Sequence, residues 1–350
     1  MFSYFASMQF DVAMPLTLFA VTLIAVMLSE KSEGKLKKSL EERKFGVKDT
    51  VLLVAAISVT VSLIVFVPQT AVMTMFLFSY SMLLFLFTYI FSDISKPKAK
   101  AFFLTFFAIS LVAAITSFFK FGTNTMVAYG GLALTCLSSF AYIALLHENL
   151  RESTKERFHM AILPPALFLC LYLFFSGTPA WFSYLINAYG VIFAILVIIY
   201  IGSVFTWKTT LIFVGLLTLA DVILVLFTGT MVSAARHVSS LRLPILVTIP
   251  TVPTIMIDGS MLYMSLGLGD FFFAGIIGIQ TAKKFGKKAM LWSIAAMCIS
   301  FFAFETFILN TELRAFPGTL MIVCGWIPIA IWKSIKSKEK HAQDLAEQCS

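Results

Sequence analysis

The chain has 350 residues, of which 59% are hydrophobic and 13% charged, and its mean hydropathy is +0.93. Such a composition excludes an ordinary soluble domain and describes an all-α polytopic membrane protein. The formal charge of +8 is then a signal of orientation at a lipid bilayer, and no nucleic-acid partner is expected.

A membrane helix needs about 20 mostly apolar residues. Eleven stretches meet this expectation: Val12–Leu28, Thr50–Val67, Thr70–Phe91, Ala101–Phe119, Met126–Leu146, Met160–Phe175, Trp181–Ile201, Thr209–Phe227, Ser260–Thr281, Ala289–Leu309 and Phe316–Trp332. The first carries no small-residue cleavage site and is expected to stay as a span rather than leave as a signal peptide. Pro68 breaks the run between the second and third, and the sixth is short and opens on Pro164-Pro165. The five cysteines (Cys136, Cys170, Cys298, Cys324 and Cys349) form no CxxC pair and no metal-ligand spacing, so neither a disulfide framework nor a zinc site is expected.

The basic residues alternate between loops. Of the 26 Lys and Arg residues, all but Lys120, Arg236, Arg242 and Arg314 fall in loops that an odd number of spans places on one side. They cluster in Ser29–Asp49, around Lys96–Lys100, Arg151–Arg157 and Lys208, in Lys283–Lys288 and in the tail after Trp332. The positive-inside rule predicts a multi-pass protein of the cell membrane with its N-terminus outside and its C-terminus cytoplasmic. The long connection Thr228–Gly259 is then external. Within it Leu243–Ile249 reads as an edge strand, an interfacial segment or an ordered loop.

Two acids lie deep in apolar runs, Asp221 and Asp270. A carboxylate at the centre of a membrane helix costs about 2.5–3.5 kcal/mol on insertion scales. Gly267 and Gly269 precede Asp270, and each weakens a helix by about 1 kcal/mol relative to Ala. Counting inward at 1.5 Å per residue puts Asp221 roughly 18 Å and Asp270 roughly 15 Å from the ends of their helices, both near the midplane. Two neighbouring carboxyls can share one proton, because two close like charges do not both ionise cheaply. A proton relay, an ion site or a structural hydrogen bond would also account for either acid alone. Thr218, at i−3, is a candidate hydrogen-bond partner for Asp221, and Gly267 and Ala274 are expected on Asp270's helical face. Other polar residues read more plainly. Glu305 is expected to snorkel or to make an interhelix contact near Asn310 and Glu312. Asp258 is expected to cap the Asp270 helix, and His237 to be a loop residue near headgroups. Pro317, in Arg314–Leu320, opens the last helix.

The motif Gly267-Leu268-Gly269-Asp270, an Asp one helix earlier in Ala220-Asp221, and Pro317-Gly318-Thr319 at the last helix together resemble the presenilin and signal-peptide-peptidase family of intramembrane aspartyl proteases. The resemblance covers about Trp181–Trp332, including Trp181 and Asn187-x-x-Gly190, and is weak before that; Met14-Pro15-Leu16 resembles the first span of archaeal members. It implies a presenilin-like bundle of about 9–11 transmembrane helices, with an N-terminal region 1–180, a catalytic region 181–332 and a basic cytoplasmic tail 333–350. It implies Asp221 and Asp270 as catalytic residues, and Gly267, Leu268, Gly269, Pro317, Gly318 and Thr319 as the border of the site. It implies cleavage of peptide bonds within transmembrane segments such as remnant signal peptides, with no cofactor and with oligomerisation left open. Ala220 stands where the family has Tyr, and Gly318-Thr319 where it has Ala-Leu. An inactive relative and a proton-coupled transporter are the alternatives.

Overall fold

The computed structural model describes residues 8–39, 44–64, 69–119, 124–151, 157–257, 259–311 and 316–349. Pro68, Lys120, Asp258 and Arg314 lie outside them. The chain is a helical membrane protein: ten of the described helices are long and apolar enough to cross a bilayer. Two compact units divide it.

One unit comprises residues 68–189 with 241–244. It contains α3 (Gln69–Ile90), α4 (Lys96–Phe118), α5 (Thr125–Leu150) and α6 (Phe158–Phe175). Helix α6 starts at Phe158, so Pro164 and Pro165 lie inside it rather than at its opening. Arg157, counted above among the loop charges, is instead buried. It pairs with Glu148 at 2.8 Å and donates to the Ser92 and Ile94 carbonyls. A guanidinium can be buried this way because its fork matches several acceptors at once. At Leu241–Pro244, Tyr172 donates to the Leu241 carbonyl and the Trp181 indole to that of Arg242.

The other unit comprises residues 1–67, 190–240 and 245–350. Its described elements are α1 (Ala13–Ser39), α2 (Val47–Ile64), the Gly190 end of α7 (Ile186–Gly202), α8 (Trp207–Val222), α9 (Thr230–Ser240), β1 (Leu246–Pro250), β2 (Met256–Ile257), β3 (Ser260–Met261), β4 (Tyr263–Gly267), α10 (Leu268–Phe285), α11 (Lys287–Leu309) and α12 (Gly318–Cys349). Helix α10 is its axis. Every residue from Phe271 to Thr281 is buried, with α1, α8, α11 and α12 packed around it. This setting explains how α10 carries Gln280 at depth: the amide donates to the Gly202 and Phe205 carbonyls, which the end of α7 leaves free. Close approach is needed where α12 crosses α11. A Cβ on Gly325 would run into the backbone of Ala296 and Met297, so only glycine fits there.

The expected span Ser260–Thr281 is corrected at its start. Residues 260–267 are extended, and β4 pairs antiparallel with β1 in the register Leu246↔Gly267 to Pro250↔Tyr263. Of the three readings of Leu243–Ile249, the strand holds, over Leu246–Pro250. Along β4 the side chains alternate, with Leu266 buried and Tyr263 and Ser265 exposed. An average over about 20 residues erases that period of two. Helix α10 consequently begins at Leu268 with Gly267 as its N-cap. Asp270 therefore stands in the first turn, not about ten residues into a helix, and Gly267 is not on its helical face.

Lys283 of α10 pairs with Glu33 of α1 at 3.0 Å, and Lys287 of α11 with Glu30 of α1 at 2.7 Å. At the opposite end of α1 and α11, Gln9 and Asn310 exchange hydrogen bonds, and Asp11 accepts from Val252 at 2.7 Å.

Candidate functional site

Asp221 is held by α8 two residues before the helix widens into a π-turn over Ile223–Phe227. Such bulges recur at functional sites because they re-aim the side chains beside them. The carboxyl is buried, and its Oδ2 accepts two bonds from one residue, the Thr319 hydroxyl at 2.7 Å and the Thr319 amide at 3.3 Å. Thr218 is not its partner: the Thr218 hydroxyl is buried and makes no hydrogen bond among the described residues. Thr319 thus has a bonding role that sequence reasoning did not assign. The only hint was a hydroxyl where the resembling family has Leu.

Asp270 arrives by a different route. Strand β4 runs into α10, Leu268 extends the ladder by donating to the Ile245 carbonyl at 3.0 Å, and the chain turns helical two residues before the acid. The free N–H groups and the dipole of that first turn favour a carboxyl there. Asp270 is half-buried. A Cβ on Gly318 would stand 2.7 Å from its Cγ and would collide with Oδ1. Two consecutive residues at the start of α12 therefore reach the two acids: Gly318 leaves room for Asp270, and Thr319 bonds Asp221. Pro317 is buried just before them and sets the helix start, its carbonyl accepting from Met321. Phe316 stacks on Phe304 at 5.3 Å and anchors the approach.

Both acids open on one cavity of about 320 Å³. Its walls include Gly267 and Gly318, the β4 residues Met264, Ser265 and Leu266, Leu246 of β1, and an apolar side of Phe301, Ile308, Phe316 and Met321. Of the residues expected at the site, Leu268, Gly269, Pro317 and Thr319 are not in this lining, and a Cβ on Gly269 would meet open space.

The cavity also holds a third acid, for which snorkelling or an interhelix contact was expected. Glu305 of α11 lines it, is 2% exposed, and has no hydrogen-bond partner on either oxygen among the described residues. It does not snorkel to the helix end. Asn310, the neighbour expected for it, is engaged with Gln9 and the Thr306 carbonyl. A carboxyl one turn further from the end of the span would have been singled out, as Asp270 was. His237 belongs to helix α9 rather than to a loop.

The site thus offers three carboxyls from three helices, Asp221, Asp270 and Glu305, beside an extended segment. The chain matches no family model, no curated protein and no solved structure.

Proposed function

We propose that the chain is an intramembrane aspartyl endopeptidase of the presenilin and signal-peptide-peptidase type. The observation that carries this reading is the convergence of Asp221 and Asp270 on one cavity, with adjacent residues Gly318 and Thr319 touching both carboxyls. In the proposed reaction one carboxylate takes a proton from a water held between the pair. The other, protonated, donates to the scissile carbonyl oxygen. The roles belong to the pair, which shares its proton. Strands β1 and β4 form a two-stranded sheet whose last pair, Leu246 and Gly267, lies three residues before Asp270, so each has an outer edge on which an unwound substrate could hydrogen-bond in extended form.

Purified protein in detergent should cut a transmembrane peptide, with a rate that rises and then falls with pH because one proton must be shared. A rate flat from about pH 4 to about pH 9 would contradict that chemistry. Solute uptake into liposomes that needs both acids, without peptide cleavage, would replace the reading with a proton-coupled transporter.

The proposal extends to orientation. The charge count puts the N-terminus and the Asp221–Asp270 connection outside and the C-terminus in the cytoplasm. This is the sense of signal peptide peptidase, and it favours substrate helices whose N-terminus is cytoplasmic. In a cysteine-free background on intact cells, Ser240→Cys should react with an impermeant thiol reagent and Lys288→Cys should not. The reverse pattern would overturn the orientation and the substrate preference together.

A further inference from the structure

Glu305 is the buried polar group of this cavity that the proposed reaction does not use. Among the described residues neither of its oxygens has a hydrogen-bond partner, and no Lys, Arg or His lines the cavity. A buried carboxyl costs most when nothing compensates it. Its surroundings deepen the deficit, because the nearby Asp11 adds unfavourable negative charge. That acid is itself occupied, accepting from the amides of Ala13, Met14 and Val252. Among the described residues no three His, Cys, Asp or Glu side chains are grouped to hold a metal ion, so Glu305 does not combine with Asp221 and Asp270 around one cation. What lies beside it is apolar. Phe301 at i−4 and Ile308 at i+3 share its face of α11 and line the same cavity. An acid between two apolar side chains complements a long aliphatic stem with a cationic head.

We infer that Glu305 forms a specificity subsite for a Lys or Arg side chain of the substrate segment, the stem lying on Phe301 and Ile308 and the cationic head on the Glu305 carboxyl. This rests on the peptidase reading for its substrate class, though not for the binding itself. Lys or Arg inside a membrane segment is ordinarily disfavoured, so the subsite would select segments that other membrane sites reject.

The test walks a single Lys along a transmembrane peptide substrate, with Gln at the same position as its control. For the wild-type protein the Lys/Gln ratio of kcat/KM should peak at one position by about tenfold or more, as expected when a buried charge gains its partner. Glu305→Gln, which keeps the shape and removes the charge, should flatten the peak, and Glu305→Lys should shift preference to a Glu-bearing peptide. A merely structural Glu305 would change the melting temperature of these variants and leave the ratio alone. A flat wild-type profile, or a peak that survives in Glu305→Gln, overturns the subsite. Binding of the same peptides to Asp270→Asn, followed by fluorescence anisotropy, separates the two claims. Lys-selective binding that needs Glu305, without cleavage by the wild type, keeps the subsite and removes the peptidase. Cleavage without that selectivity does the reverse.

Discussion

Asp270→Asn and Asp221→Asn should each lower kcat/KM on a transmembrane peptide by about a thousandfold or more, the scale seen when one member of a catalytic unit is removed. An amide has nearly the shape of a carboxyl but cannot pass a proton back and forth. The water would lose its base or the carbonyl its acid, whichever residue is changed. The geometry predicts little structural cost. The Asp221→Asn side chain retains an oxygen to accept from the Thr319 hydroxyl and amide, and that of Asp270→Asn fits the space that Gly318 leaves. Each variant should therefore elute and melt like the wild type. The double variant should be no worse than either single one, since a shared-proton pair fails as a unit. Either single variant cutting within about tenfold of the wild-type rate would remove the aspartyl mechanism.

Gly318→Ala should reduce kcat by about a hundredfold, the penalty that a displacement of about 1 Å imposes on a reacting group. The added methyl would occupy the position now filled by the Asp270 carboxyl. A carboxyl is the free end of its side chain and gives way more easily than backbone does. The protein should then fold, with Asp270 turned away from Asp221. The matching control is Gly269→Ala, where a Cβ meets nothing. It should leave turnover intact and stabilise α10 by up to about 1 kcal/mol, the helix preference of Ala over Gly. Full activity in Gly318→Ala would mean that the Asp270 position in this structure is not the one that matters for catalysis. The resembling family carries Ala at this place, so the result also asks whether this chain holds its acid differently.

The division between sequence and tertiary structure follows the range of the forces involved. Membrane spans were legible because burying about 20 apolar residues is a local, additive requirement. Ten of the eleven expected runs hold a described helix long and apolar enough to cross a bilayer; Ser260–Thr281 does not, because its first residues belong to β3 and β4. Asp221 and Asp270 stood out because a carboxyl in such a run is costly enough to require a reason. Strand β4 was not legible. Its hydropathy suits a helix equally well, and its conformation depends on β1, whose Thr248 stands opposite Ser265. The same limit hid the Thr319–Asp221 bond, between residues 98 positions apart, and the fit of Gly318 around Asp270. Burial rules out the snorkelling reading of Glu305, though not an interhelix contact, and removes Arg157 from the charges that reach headgroups, because nearness to a helix end does not by itself give such access. Hydropathy along a chain reports how much each segment avoids water. Which side chain meets which is decided by packing between segments, and only the folded unit specifies it.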